Sequence, residues 1–195
     1  MIKELKSLFS EGKITDKKIY FEVIVTKENV FHTIKKLKEN QNLIFNQLID
    51  ITAVDYPPNS LRFEIIYILL SMTLNKRVVV KTFLGESEGI ESITTIHKSA
   101  DWYERECYDL FGIQFLNHPD LRRIMTDYNF EGHPLRKDFP LTGHTEVRYD
   151  DLEKKVIYEP VKLTQEYRNF DYMSPWEGVP NSLEGDDKAT EDSDE

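Results

Sequence analysis

Leu61-Arg62-Phe63-Glu64-Ile65-Ile66-Tyr67-Ile68-Leu69-Leu70 is the most β-prone stretch of this 195-residue chain, and its reading decides the fold. β-Branched and aromatic residues dominate it, and Tyr56-Pro57-Pro58-Asn59 before it has the composition of a turn. A second run, Gln47–Val54, therefore pairs back across that turn. Asn75-Lys76 marks a further hairpin, after which Arg77–Leu84 supplies another strand. Further out, Tyr20–Val25 reads as a short strand. Thr26 can cap a helix whose Val30, Phe31, Ile34 and Leu37 form one stripe. Ile2, Leu5, Leu8 and Phe9 also fall on helical spacing. The order helix, strand, helix, three strands predicts an α+β fold: a two-layer domain with a mixed β-sheet and helices on one face.

Composition sets limits on function. The mean hydropathy of -0.51 and 39% hydrophobic content allow a modest core. Net charge is -10, but residues 184–195 hold seven acids and one lysine, leaving 28 acids against 24 bases in the body. With no basic excess, nucleic-acid binding is not expected. One cysteine, Cys107, rules out an intramolecular disulfide and a four-thiolate iron–sulfur cluster held by this chain alone. The longest apolar run, Ile65–Leu70, is strand-length, so no membrane span is expected. The N-terminus lacks the apolar block of a secretory signal, and the first arginine is Arg62, which speaks against an arginine-rich transit peptide.

Glu104-Arg105-Glu106-Cys107-Tyr108-Asp109-Leu110-Phe111-Gly112-Ile113 packs charge against an apolar run. A helix through 102–111 would turn Tyr103, Cys107, Leu110 and Phe111 to one side and the carboxylates to the other. Asp101 and Arg105 have the favourable acid-first spacing of four. Glu104, Glu106 and Asp109 then lack a cation on the helix and must face water or basic groups from elsewhere. Glu106 and Asp109 could instead form the carboxylate pair of a stand-alone hydrolase, but Glu104 and Glu106 point about 200° apart and no cleft signature accompanies them. His118, His133 and His144 have spacings that match no compact metal motif. His118 and His133 each precede a proline, which holds them extended as hydrogen-bonding posts. Cys107 reads as a buried, inert thiol. Gly85-Glu86-Ser87-Glu88-Gly89 has neither a lysine nor a dinucleotide fingerprint. Arg122-Arg123 and Arg136-Lys137 are basic pairs suited to carboxylates, in cis on Glu104 and Glu106 or on a neighbour. Leu135 and Phe139 flank the second pair, a pattern suited to an interface.

The spacing of Glu104-Arg105-Glu106, Asp109, His118, Arg122, Ile124 and Met125 resembles a family signature, that of the C-type subunit of the proton-pumping NADH:quinone oxidoreductase, respiratory complex I. The match runs on through Gly132-His133-Pro134-Leu135-Arg136-Lys137-Asp138-Phe139-Pro140-Leu141 and ends near Ser174-Pro175-Trp176-Glu177. It implies a structural subunit of the peripheral arm of a membrane complex with no redox centre of its own. NADH and quinone are the complex's substrates, and FMN and iron–sulfur clusters sit in partner subunits. The partners it implies are chiefly the hydrogenase-large-subunit-like (D-type) subunit and neighbouring iron–sulfur subunits. The implied location is peripheral, on the cytoplasmic side of a bacterial inner membrane. A related reading is the equivalent subunit of a ferredoxin-linked photosynthetic complex or a membrane-bound hydrogenase. The contacts implied are Glu104, Arg105, Glu106, Asp109, His118, Arg122, Arg123, His133, Arg136, Lys137, Asp138, Phe139 and Trp176.

From Gly112 onward the texture changes. Six of the eight prolines lie from Pro119 to Pro180, no helix or strand period persists, and ten aromatics fall within 72 residues. Ordering such a segment costs about 1–2 kcal/mol of backbone entropy per residue, which an extended arm cannot recover on itself. A second protein supplies the missing surface, with the rings as anchors. The organisation expected is an α+β domain over 1–111, an extended partner-binding arm over 112–183 and a disordered acidic tail over 184–195.

Overall fold

The computed structural model describes residues 5, 8, 9 and 12–165. Trp176, the aromatic residues from Tyr167 to Tyr172 and the acidic tail lie outside them. The chain divides into two compact units, 1–144 and 145–195.

The first unit is built on a mixed five-stranded sheet. Its strands are β1 (Lys13–Asp16), β2 (Tyr20–Ile24), β3 (Gln47–Asp55), β4 (Phe63–Ser71) and β5 (Lys76–Leu84), in the spatial order β1-β2-β5-β4-β3. β2 and β5 are parallel, and every other pairing is antiparallel. The quoted stretch becomes β4, with Phe63, Ile65, Tyr67 and Leu69 buried on one face, as period-2 alternation requires. A bulge between Leu48 and Asp50 shifts the register of β3 so that Leu48 and Ile51 both turn inward. Both turns read from sequence form: Asn59 N–H bonds the Tyr56 carbonyl at 3.0 Å, and Asn75 adopts a left-handed φ of 48°.

Helix α1 (Val30–Glu39) buries Val30, Thr33, Ile34 and Leu37, and helix α2 (Ala100–Phe111) buries Ala100, Cys107 and Phe111. These residues and the inner face of the sheet form one apolar cluster, which Leu5 and Phe9 also join. Phe9 N–H bonds the Leu5 carbonyl, the helical spacing read there. Thr26 precedes a 3-10 turn, Lys27–Asn29, and makes no side-chain cap. The α+β class, the mixed sheet and the two layers therefore follow the sequence.

Several elements differ from expectation. Strands β1, β6 (Gly89–Glu91) and β7 (Gln114–Leu116) are too short for a periodic signal, and β6 and β7 pair in parallel on either side of α2. The compact unit runs to His144, beyond the boundary placed at 111, because residues 117–138 bond to α2 and to the ends of the sheet strands. Period-2 order also returns after Gly112. β8 (Thr145–Asp150) and β9 (Lys155–Pro160) form an antiparallel ribbon in the second unit. Val147 faces Tyr158 and Tyr149 faces Val156, so all four share one side, each more than half exposed.

Candidate functional site

The charged residues of the signature converge on helix α2, and the structure turns the two central carboxylates inward. Glu104 and Asp109 have no exposed surface. Of the two outcomes expected, water or a basic group from elsewhere, Asp109 takes the second through Arg123, while Glu104 is bonded by a hydroxyl and a backbone N–H. A buried carboxylate is costly unless donors surround it, and each has them.

Asp109 receives five. Oδ2 accepts the N–H groups of Ile124, Met125 and Thr126 at 2.9, 2.6 and 2.9 Å. Oδ1 accepts the Thr126 hydroxyl at 2.6 Å and an Arg123 Nη1–H at 2.9 Å. Burial would raise the Asp109 carboxyl, but the bonds from Thr126, Met125 and Ile124 prevail and hold it down at about 2. A carboxylate so occupied has no lone pair left for a nucleophilic or basic role, which leaves the hydrolase reading without its second acid.

Glu104 sits in a drier place. Oε2 accepts the Ser92 hydroxyl at 2.6 Å and Oε1 the Ile93 N–H at 2.8 Å. Burial outweighs these bonds, Asp101 and Glu91 add like-charge repulsion, and the carboxyl is pushed up to about 7. His118 closes the site. Its Nδ1 accepts the Asp120 N–H at 3.1 Å, so the proton belongs on Nε2, which faces Asp101 Oδ1 at 3.1 Å and Glu104 Oε2 at 3.9 Å. Arg105 makes the expected i,i+4 pair with Asp101 at 3.0 Å, reaches Asp120 at 3.4 Å and stacks under Trp102.

Residues 133–136 cap the C-terminal end of α2. The last carbonyls of a helix have no partner within it. Here the Asp109 carbonyl accepts from His133 Nδ1 at 2.8 Å, that of Leu110 from the Leu135 N–H at 3.1 Å, and that of Phe111 from Arg136 Nε at 2.6 Å. Arg136 also brings positive charge to the negative end of the helix dipole. Gly112 makes this approach possible. Its φ is +78°, and a Cβ there would lie 2.6 Å from both Arg136 Nη2 and His133 Nε2. The glycine that follows the aromatic in the signature is thus a packing requirement.

A second knot ties the same segment to the sheet. Arg62, the residue just before β4, forks onto Asp55 at 2.7 and 2.9 Å. It also reaches Glu86 at 3.2 Å and Asp138 at 2.9 Å. Asp55 accepts the Lys137 N–H at 2.7 Å, and Arg136 pairs with Glu86 at 2.9 Å. The Arg62 hydrogen bond, ahead of the opposing cost of burial, holds the Asp55 carboxyl below its usual range.

Of the residues singled out from sequence, Glu104, Arg105, Asp109, His118, Arg123, His133, Arg136 and Asp138 are thus engaged within the chain. His118 and His133 are hydrogen-bonding posts. Neither basic pair meets Glu104 or Glu106: Arg123 takes Asp109, Arg136 takes Glu86, and Arg122 takes Asp120 at 2.9 Å on the surface. Glu106 is half-buried and lines a small cavity with Asp50 and Cys107. Lys137 is exposed, and the Phe139 ring packs 5.7 Å from Phe130. Trp176 is outside the described residues. Cys107 is buried, donates to the Ile51 carbonyl at 3.3 Å, and burial drives its thiol well above the usual range. Asp55, Arg62, Glu86 and Ser92 were missed. A lone arginine at the head of a β-prone apolar run was the available signal for Arg62, since such a charge needs a buried acid.

Among the described residues no group of three His, Cys, Asp or Glu side chains is placed to hold a metal ion, and no helix is long and apolar enough to cross a membrane.

The family described as respiratory-chain NADH dehydrogenase, 30 Kd subunit, matches residues 23–145. That span takes in strands β3, β4 and β5, both helices and residues 117–138, which bond to α2 and the sheet. The chain belongs to this family. It is 54% identical over 169 residues to a protein of Hyphomonas neptunium named as the C-type subunit of NADH-quinone oxidoreductase, spanning 87% of this chain and 84% of that one. A protein of the same name from Jannaschia sp. is 58% identical over 156 residues, or 80% of this chain and 75% of the relative. The fold is shared with a chain in the structure of the membrane-bound sulfane sulfur reductase, an archaeal respiratory membrane complex. The TM-score is 0.63 at 24% identity, covering 72% of this chain and 84% of that chain.

Proposed function

We propose that this member of the 30 Kd subunit family is a non-catalytic structural and assembly subunit in the peripheral arm of a proton-translocating NADH:quinone oxidoreductase. Electrons pass from NADH to quinone through FMN and iron–sulfur clusters of partner subunits, with no redox centre in this chain. Its contacts are chiefly with the D-type subunit and adjoining iron–sulfur subunits, and it lies peripherally on the cytoplasmic face of the membrane.

The observation that carries this reading is the β8–β9 ribbon. Two strands alone are marginal in water, and this pair sets Val147, Tyr149, Val156 and Tyr158 in register on one exposed face. The arrangement suits a surface that another protein covers. The saturated acids around α2 support the same role, because their donors are structural ones. Outward contacts then fall to Arg122, Lys137, the ribbon face and Trp176, while Glu104 and Asp109 act indirectly by fixing the segment that carries the others. Cys107 supports the absence of a cluster in this chain: one thiol, buried and held protonated, is a poor ligand where four thiolates are usual.

The test is gentle detergent extraction from membranes through a tag on this chain. Flavin, iron–sulfur and membrane subunits should co-purify and be lost when Val147 and Tyr158 are both replaced by aspartate, with NADH:quinone turnover falling in parallel. Recovery of a free chain with its own turnover would refute the proposal. A purified assembly lacking flavin would instead favour the ferredoxin-linked or hydrogenase relatives.

A further inference from the structure

The loop over 122–131 is held more firmly than its own chemistry explains. Three consecutive backbone N–H groups, a hydroxyl and a guanidinium end on the single carboxylate of Asp109. On the far side, Arg123 Nη2 bonds the Gly132 carbonyl at 2.9 Å and its guanidinium lies over Phe130, whose ring packs on Phe139. Between these anchors the chain makes one β-turn, with the Phe130 N–H on the Asp127 carbonyl at 3.0 Å. Tyr128 sits at its tip with a relative exposure of 103%, and Met125, three residues earlier in the chain, is also exposed. A ring that nothing covers adds nothing to this unit's stability. The same ring on a fixed turn loses little entropy on docking, since only two side-chain torsions remain free.

We infer that the Asp109-clamped turn is a docking knob, in which Tyr128, with Met125 three residues earlier, inserts into a concave apolar pocket on a neighbouring protein subunit. The charges around it favour a protein host over a lipid surface. Asp120, Asp127 and Glu131 outnumber Arg122 and Arg123, whereas aromatic side chains that seat at an anionic membrane come with an excess of lysine and arginine. The backbone donors on the Asp109 side are spent inward, so the side chains carry the contact. This inference rests on the assembly reading above and assigns it a second contact, separate from the β8–β9 ribbon.

The experiment places the photo-crosslinking residue p-benzoylphenylalanine at position 128 in the full chain, within the assembled complex in native membranes. Irradiation should give one adduct, between this chain and one other subunit. A lipid adduct, an adduct to a second copy of this chain, or none in a complex that still co-purifies overturns the knob and leaves the assembly reading standing. Failure of any subunit to co-purify with the unsubstituted chain defeats the assembly reading itself. In parallel, Tyr128→Ala should weaken association by about tenfold or more, as central aromatic anchors do, with the thermal midpoint of the free chain unchanged. Tyr128→Phe should restore most of the binding. Unchanged association of the alanine variant on dilution overturns the inference.

Discussion

Replacing Asp109 with asparagine probes the centre of the laced structure. The asparagine side chain is nearly isosteric but keeps one acceptor oxygen where the carboxylate had two, and its amide nitrogen now confronts donors. If the oxygen stays on the Ile124, Met125 and Thr126 N–H groups, the amide meets Arg123, and that ion pair is lost. The three remaining backbone bonds drop from charge-assisted to neutral, roughly halving each. Breaking a buried pair costs about 3–5 kcal/mol. Arg123 is about a quarter exposed and can turn to water, which places the loss near the lower figure. About 3 kcal/mol corresponds to a fall of about 6–12 °C in the melting temperature of a domain this size. The assay is thermal and urea unfolding of the purified chain, with limited proteolysis to locate new cleavage between 120 and 133. The gap between the two proteins should also depend on pH. A carboxyl held at about 2 when folded, against about 3.9 when unfolded, contributes about 2.5 kcal/mol above pH 4, lost as pH falls toward 2. The asparagine variant lacks that titration, so the gap should close in acid. A loss under about 1 kcal/mol at pH 7, or a gap constant from pH 3 to 7, would refute the clamp.

Glu104 should show the opposite pH trend. Its folded-state value near 7 means that the folded chain keeps a proton the unfolded one sheds. Stability therefore drops by about 3 kcal/mol as pH rises from about 4.5 to 7, and Glu104→Gln should abolish that drop in urea titrations across the range. Gly112→Ala should cost about 2 kcal/mol or more in chemical denaturation, since it adds left-handed strain to a 2.6 Å encounter with Arg136 and His133. Cys107 should resist iodoacetamide in the native chain at pH 8 and react at the rate of a free thiol once urea unfolds it, followed by mass spectrometry.

The α+β core was legible because its signals are local and repeated. β4 alternates, the turns at 56–59 and 75–76 carry their own chemistry, and α1 keeps its apolar stripe. The strands β1, β6 and β7 were not, since three or four residues hold no period and their pairing depends on where distant segments land. The signature around α2 was recognisable, but its geometry was not. Whether Asp109 faced water or a distant basic group stayed open because its donors stand 14 to 17 residues downstream, in a segment with no period to place it. Most of those donors are backbone N–H groups, which every sequence carries and none advertises. The β8–β9 ribbon shows the reverse case: its pattern was present at Val147, Tyr149, Val156 and Tyr158, and surrounding prolines and charges obscured it.

That ribbon sets a condition on how the cell handles newly made copies. With an apolar side exposed to water, a lone chain offers itself to any adhesive surface or protease that arrives before its proper host. Supply of this polypeptide must therefore stay in step with that of its companions, and surplus molecules should be short-lived. A structure suited to adhesion thereby also serves as a count of unfinished assemblies.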